Sequence, residues 1–149
     1  MNIEGLLASR VDGTIKGMPW LDRPLALGEV GSQGWNVLRE DLRLPLAVLK
    51  RSALEHNSRW MRAFLQAEGV ALAPHGKTTM SPQLFARQLA DGAWGITCAT
   101  VEQLQVYRSF GVQRVLFANQ LVGRGAIGYV LDEIERDPQF EFYGFVDSL

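Results

Sequence analysis

From residue 44 the chain settles into a rhythm that few folds accept: short apolar runs alternate with helix-patterned stretches. "VALAPHGK" (70–77), "AWGITCA" (93–99), "RVLFANQ" (114–120) and "FEFYGFVDS" (140–148) read as strands, starting near 70, 94, 114 and 140. The stretches between them carry helix punctuation. Ser52 with Glu55 forms a capping-box signature, Leu54, Met61, Phe64 and Leu65 fall near one helical face, and Gly69 ends that helix. Ser81 stands as N-cap with Pro82 at the first helical position; Leu84, Phe85 and Leu89 then point inward as far as Gly92. Thr100 and Gln103 make a second capping box, opening "TVEQLQVYRSFG". Ile127, Val130, Leu131 and Ile134 stand at i, i+3, i+4 and i+7 on a last helix, closed before Pro138.

Strands and helices alternating at this spacing imply parallel βαβ units. Short apolar strands are what a sheet covered by helices requires. An open doubly wound sheet and a (β/α)₈ barrel share this grammar. No Gly-x-Gly-x-x-Gly follows a strand and no Walker A pattern occurs, so the nucleotide-binding open sheet lacks its signature. A barrel takes about 250 residues, whereas this chain has 149 and stops straight after a strand. The expectation is an α/β fold, roughly the first half of a (β/α)₈ barrel, in a truncated chain. Residues 1–43, with six glycines, two prolines and no sustained period, form a lead-in segment; residues 44–149 are the barrel portion, opened by the apolar run "LPLAVLK" (44–50) as a lead-in strand.

Charge and composition narrow the function. A net charge of −1 without a basic run gives no electrostatic case for nucleic acid. The single cysteine, Cys98, allows no intrachain disulfide and no cysteine-rich metal site, and fits a reducing cytoplasm. The first residues lack a signal-peptide pattern, and no run approaches the roughly 20 apolar residues of a membrane span. The expectation is a soluble cytoplasmic protein with no nucleic-acid or membrane partner.

One corner resists that bland description. His75, Gly76 and Lys77 stand together at the carboxyl end of an apolar strand, where an ammonium is costly. A surface-loop lysine is the ordinary reading. Against it, the carboxyl ends of barrel strands are where catalytic side chains sit, and an amine desolvated there serves as a nucleophile.

The run "PHGKTTMSPQLFARQLADGAWGITCATVEQ" resembles the cofactor-lysine segment of the fold-type III pyridoxal-phosphate enzymes, in particular the D-threonine aldolase and D-serine dehydratase group with its amino acid deaminases. "LFANQLV" (116–122) and "FVDS" (145–148) resemble that group's next two strand ends in the same order, so the likeness runs from about Leu44 to Leu149. The resemblance implies an alanine-racemase-like N-terminal barrel, with residues 1–43 leading in from a second, β-rich domain. It also implies pyridoxal 5'-phosphate carried by Lys77, an amino acid as small-molecule substrate, and a homodimer at full length. A divalent metal, where such relatives use one, would be held by residues of a carboxyl-terminal domain absent here.

The neighbours divide between roles. His75 shares a strand face with Lys77 and either lines the cofactor site or is a hydrogen-bonded structural histidine. Thr78 contacts the cofactor or orders the loop. Asn119 and Gln120 end the third strand, and Asp147 and Ser148 the fourth, facing the cofactor or making turn hydrogen bonds. Cys98 reads as a buried small hydrophobe, His56 as solvated surface, and Trp60, Met61 and Phe64 as core or interface packing. Thr79 and Met80 depart from the many aldolase-type members that carry a second histidine at position 79. That departure favours a lyase removing the β-hydroxyl of D-serine-type substrates, giving a keto acid and ammonia. The alternatives are retro-aldol cleavage of D-threonine-type substrates, a pyridoxal-phosphate-binding homeostasis protein without turnover, and an inactive half-barrel, which the fragment alone would be.

Overall fold

Glycine and proline punctuate residues 1–43 too often for long elements, and only short ones form. The computed structural model describes residues 1–147, in two units, Asn2–Ala53 and, with Met1, the described residues from Leu54 onward. In the first unit, α1 (Glu4–Leu7) is a single turn, and β1 (Arg10–Val11) pairs antiparallel with β2 (Leu25–Ala26). Two 3₁₀ turns follow, Leu27–Ser32 and Val37–Arg39. Arg43 gathers the irregular backbone: it donates to the carbonyls of Gly13, Ile15 and Met18, and its guanidinium lies 4.4 Å over the Trp20 ring. The lead-in strand expected at 44–50 does not form. Leu44, Val48 and Leu49 are exposed, and among the described residues no neighbouring strand supplies the backbone partners that an extended segment needs.

The helix α2 runs over Arg51–Glu68. Because it begins at Arg51, Ser52 lies inside the first turn and is not the N-cap expected of it. Trp60 and Phe64 stack on its outside with ring centroids 5.5 Å apart, and both are exposed, so this pair is not core packing. Gly69 closes the helix with φ +64°, which lets Val70 N–H reach back to Leu65 O at 3.2 Å.

α3 (Pro82–Ala90) starts as its Ser81-Pro82 pair implies, although the Ser81 hydroxyl turns to Gln83 and leaves the backbone uncapped. β3 (Ile96–Cys98) leads into α4 (Val101–Ser109), where Thr100 Oγ1 accepts from Gln103 N–H at 3.3 Å. Gln103 Oε1 reaches back one residue further than a capping box requires, to Ala99 N–H at 2.9 Å. β4 (Arg114–Gln120), α5 (Arg124–Arg136) and β5 (Glu141–Phe145) complete the alternation.

β3, β4 and β5 form a parallel sheet in chain order, with Ile96 opposite Val115 and Arg114 opposite Glu141. The run at 70–77 was expected as a buried strand; it joins β3 through one parallel bridge, His75 to Thr97. Pro74 has no N–H to extend the ladder, and Val70 is exposed. The four apolar segments thus lie parallel and in sequence order.

Period-two alternation assigns the sheet faces. Ile96, Cys98, Val115 and Phe117 turn to one side and pack with Phe85, Leu104, Tyr107, Val112, Val130 and Phe140. The apolar row on α5 is rotated from its expected setting: Val130 is buried while Ile127, Leu131 and Ile134 stay exposed. Glu133 takes an inward place, drawn there by the Arg108 guanidinium at 2.7 Å. On the opposite sheet face, at its amino-terminal edge, Arg114 pairs with Glu141, lies 4.9 Å over the Trp94 ring, and Trp94 meets Tyr143 at 4.8 Å. Among the described residues no helix is long and apolar enough to cross a membrane.

Candidate active site

The corner at His75–Lys77 is built from its backbone. Thr97 N–H donates to Pro74 O at 2.8 Å, Gly76 N–H donates to Thr97 O at 3.0 Å, and Thr97 Oγ1 donates to Ala73 O at 2.6 Å. These three bonds fix residues 73–76 against β3. The chain then turns sharply: Met80 N–H returns to Gly76 O at 2.9 Å, closing a loop over Lys77, Thr78 and Thr79, with Met80 at φ +44°.

Gly76 is the one buried residue between 70 and 80. A Cβ placed there would lie 2.5 Å from Tyr107 Oη, 2.7 Å from Phe85 Cε1 and 2.8 Å from Ile96 Cγ2. Only glycine permits so close an approach. Since Gly76 faces the core, the strand alternation turns His75 away from it, and Lys77 stands on the turn that follows. Lys77 is accordingly exposed, contrary to the expectation of an ammonium pressed on an apolar interior; Gly76 makes the apolar contact. Among the described residues Lys77 makes no ion pair.

Tyr107 and Thr97 carry a role that the sequence reading missed. Tyr107 is fully buried, and its hydroxyl donates to Thr97 O at 3.1 Å, the same carbonyl that accepts from Gly76. Burial pushes this phenol above its ordinary range, and nearby Cys98 adds to the effect, so it stays a neutral donor. A tyrosine on the inward face of a helix, needing a partner for its hydroxyl, was the available signal.

The remaining site residues distribute along one edge. Thr78 is exposed on the turn, and Thr79 Oγ1 lies 3.5 Å from Gly76 O. Asn119, at the end of β4, donates from Nδ2 to Ala99 O at 3.3 Å and accepts Gln120 N–H at 3.0 Å. Gln120 Nε2 donates to Asp147 Oδ2 at 3.2 Å. Lys77, Asn119, Gln120 and Asp147 therefore share the carboxyl-terminal edge of one parallel arrangement, with Asn119 two strands from Lys77, about 10 Å by ordinary sheet spacing. Ser148 lies outside the described residues. Cys98 is buried as expected, and burial pushes its thiol up to about 12. His56 is exposed on α2.

His75 has a second neighbourhood. With Thr79 it lines a groove of about 290 Å³ walled by Leu54, Met61, Leu65 and Leu84, which Lys77, Thr78 and Asn119 do not line. A larger cavity of about 450 Å³, beside Lys16 and Trp35, lies within the Asn2–Ala53 unit and contains none of the candidate residues. Lys77, Thr78, Asn119, Gln120 and Asp147 line neither of these spaces and lie at the strand edge. Among the described residues no group of three His, Cys, Asp or Glu side chains could hold a metal ion.

No family model matches the sequence. Over 101 residues the chain is 36% identical to a D-threonine aldolase from Arthrobacter sp., covering 68% of this chain and 26% of that protein. Over 77 residues it is 35% identical to a D-threo-3-hydroxyaspartate dehydratase from Delftia sp. (strain HT23), covering 52% of this chain and 20% of the relative. The crystal structure of a D-threonine aldolase from Filomicrobium marinum matches with a TM-score of 0.65 at 29% identity, covering 72% of this chain and 28% of that one. The chain thus spans roughly a quarter of the length of the proteins it matches. The likeness to the D-threonine aldolase and D-serine dehydratase-like group holds.

Proposed function

We propose that this chain carries the cofactor-lysine segment of a pyridoxal-phosphate-dependent lyase acting on D-configured 3-hydroxy amino acids, and that its parallel strands open a (β/α)₈ barrel. The observation that carries the reading is the setting of Lys77. Its amine is exposed, without an ion-pair partner among the described residues, on a closed turn at the carboxyl edge of parallel strands. The surrounding segment is similar to lyases whose names specify D-configured hydroxy amino acids. Barrel enzymes keep their reactive side chains at that edge.

The residues present fit the cofactor. Covalent attachment needs a primary amine with open approach, which Lys77 provides. The parallel connections bring the amino termini of α3, α4 and α5 to the same edge, and helix amino termini favour phosphate and carboxylate anions. Bound there, pyridoxal phosphate supplies the electron sink for charge developing at the substrate α-carbon.

Each residue then has a task. Lys77 Nζ holds the cofactor and is the amine placed to accept or return a proton at the α-carbon. His75, bridged to β3 just before the turn, and Thr78, next on the turn, contact the cofactor. Asn119 spends one amide hydrogen on Ala99 O and keeps the other for a ligand. Thr79 and Met80 stand where many aldolase-type proteins have a second histidine beginning the pair, and this favours loss of the β-hydroxyl. D-serine loses water and regains it on hydrolysis, so the net products are a keto acid and ammonia.

Retro-aldol cleavage is the second reading, favoured by the likeness to two D-threonine aldolases. The full-length protein, incubated with D-serine and with D-threonine, separates them: keto acid and ammonia support dehydration, whereas glycine and an aldehyde support cleavage. Cofactor binding with neither product would leave a pyridoxal-phosphate-binding protein without turnover. Borohydride reduction and peptide mapping should place the cofactor on Lys77; a label on Lys50 would overturn the assignment.

A further inference from the structure

The turn that carries Lys77 has no apolar anchor of its own: Lys77, Thr78 and Thr79 are all exposed. What holds it is the preceding peptide. Gly76 is fixed by two hydrogen bonds, its N–H to Thr97 O and its C=O from Met80 N–H, and by the Tyr107 hydroxyl, Phe85 and Ile96, which fill the space a β-carbon would need. Two of these converge on α4, because Thr97 O accepts from both Gly76 N–H at 3.0 Å and Tyr107 Oη at 3.1 Å. Tyr107 is itself clamped, meeting Phe85 edge-on with ring centroids 4.8 Å apart.

We infer that Tyr107 and Gly76 are positioning residues for Lys77: the buried hydroxyl orients the Thr97 carbonyl, that carbonyl holds Gly76, and Gly76 sets where the lysine turn begins. This rests on the reading that Lys77 holds pyridoxal phosphate. The hydroxyl acts through its proton, so a phenylalanine of the same shape preserves the packing and removes the function. The glycine acts through what it lacks, so any β-carbon lifts the strand end from Tyr107 and carries the lysine with it.

The test uses the full-length protein and follows Lys77 directly. Wild type, Tyr107→Phe, Gly76→Ala and the packing control Val130→Ala are treated with pyridoxal phosphate and borohydride. Capture at Lys77 is timed by peptide mass mapping, alongside thermal unfolding and visible circular dichroism of the bound cofactor. Loss of one hydrogen bond should slow capture by Tyr107→Phe roughly tenfold and weaken the visible dichroism, while the unfolding midpoint falls by no more than a few degrees. Gly76→Ala should slow it further; if that variant does not fold, Tyr107→Phe decides alone. Val130→Ala should lower the unfolding midpoint while capture stays near the wild-type rate. Wild-type capture by Tyr107→Phe, or equal slowing by Val130→Ala, overturns the inference while leaving the cofactor reading intact. Absence of a Lys77 label in the wild type overturns both.

Discussion

Arg108 Nε lies 2.7 Å from Glu133 Oε2, with both side chains almost wholly withdrawn from water. The same guanidinium donates to Asp137 Oδ2 at 2.7 Å and to Val112 O at 2.8 Å, and it rests 4.1 Å over the Phe140 ring. One side chain therefore ties α4, α5 and the approach to β5.

Arg108→Ala should be strongly destabilising, because Glu133 would stay buried with the exposed Arg136 as its one ion-pair partner among the described residues. Breaking a buried pair from one side costs about 3 kcal/mol or more. Urea unfolding measures this directly, and a loss under 1 kcal/mol would mean the pair is less buried than its geometry implies.

Acid should loosen the same region. The Arg108 hydrogen bond, then the Gln139 backbone N–H, holds Asp137 below the usual carboxylate range; Arg114, then Tyr143, does the same for Glu141. Groups with lowered folded-state values contribute stability that is full above their unfolded pKa, about 4, and lost as pH falls through the folded values. The unfolding midpoint should thus be flat near neutrality and fall in acid. Asp137→Asn should lower the plateau and shallow the acid limb.

Cys98 offers a clean test of the core. Burial pushes its thiol up to about 12, and the residue has no exposed surface. A thiol reagent at pH 8 should leave the native chain unlabelled and modify one site per chain after denaturation. Rapid native labelling would place β3 nearer the surface.

Gly95→Ala should pry β3 from β4. A β-carbon there would stand 2.8 Å from Arg114 O, a backbone atom with little room to retreat. Overpacking of this kind costs about 1–3 kcal/mol. Unchanged thermal stability would show that the strands separate more readily than the parallel register suggests.

Much of this architecture was legible because periodicity and punctuation agree after residue 69. "RVLFANQ" forms β4 with both boundaries as read, and Ser81-Pro82 and Thr100 open their helices where expected. The misreadings have separate physical origins. "LPLAVLK" is apolar enough for a strand, but a strand also needs a neighbour. "VALAPHGK" contains Pro74, whose missing N–H leaves a single bridge. The row Ile127, Leu131 and Ile134 lost its inward place to Glu133, since a helical wheel carries no sign of the arginine that draws a carboxylate inside. At the candidate site, the lysine motif was visible, while the support beneath it was hidden. Neither Gly76 nor Tyr107 announces in sequence that the two will meet.

The cluster at the sheet's opposite edge supplies an optical handle. Trp94 meets the Tyr143 ring at a tilt and lies under the Arg114 guanidinium, which also donates to Trp94 O at 3.1 Å. Of the other three tryptophans, Trp20 and Trp60 are exposed and Trp35 belongs to the Asn2–Ala53 unit. Excitation absorbed by Tyr143 will pass to so close an indole, and the pair separates once β5 leaves β4. Fluorescence from Trp94 should therefore follow assembly of the sheet at the end remote from Lys77, giving a folding signal independent of whatever chemistry occupies the lysine turn.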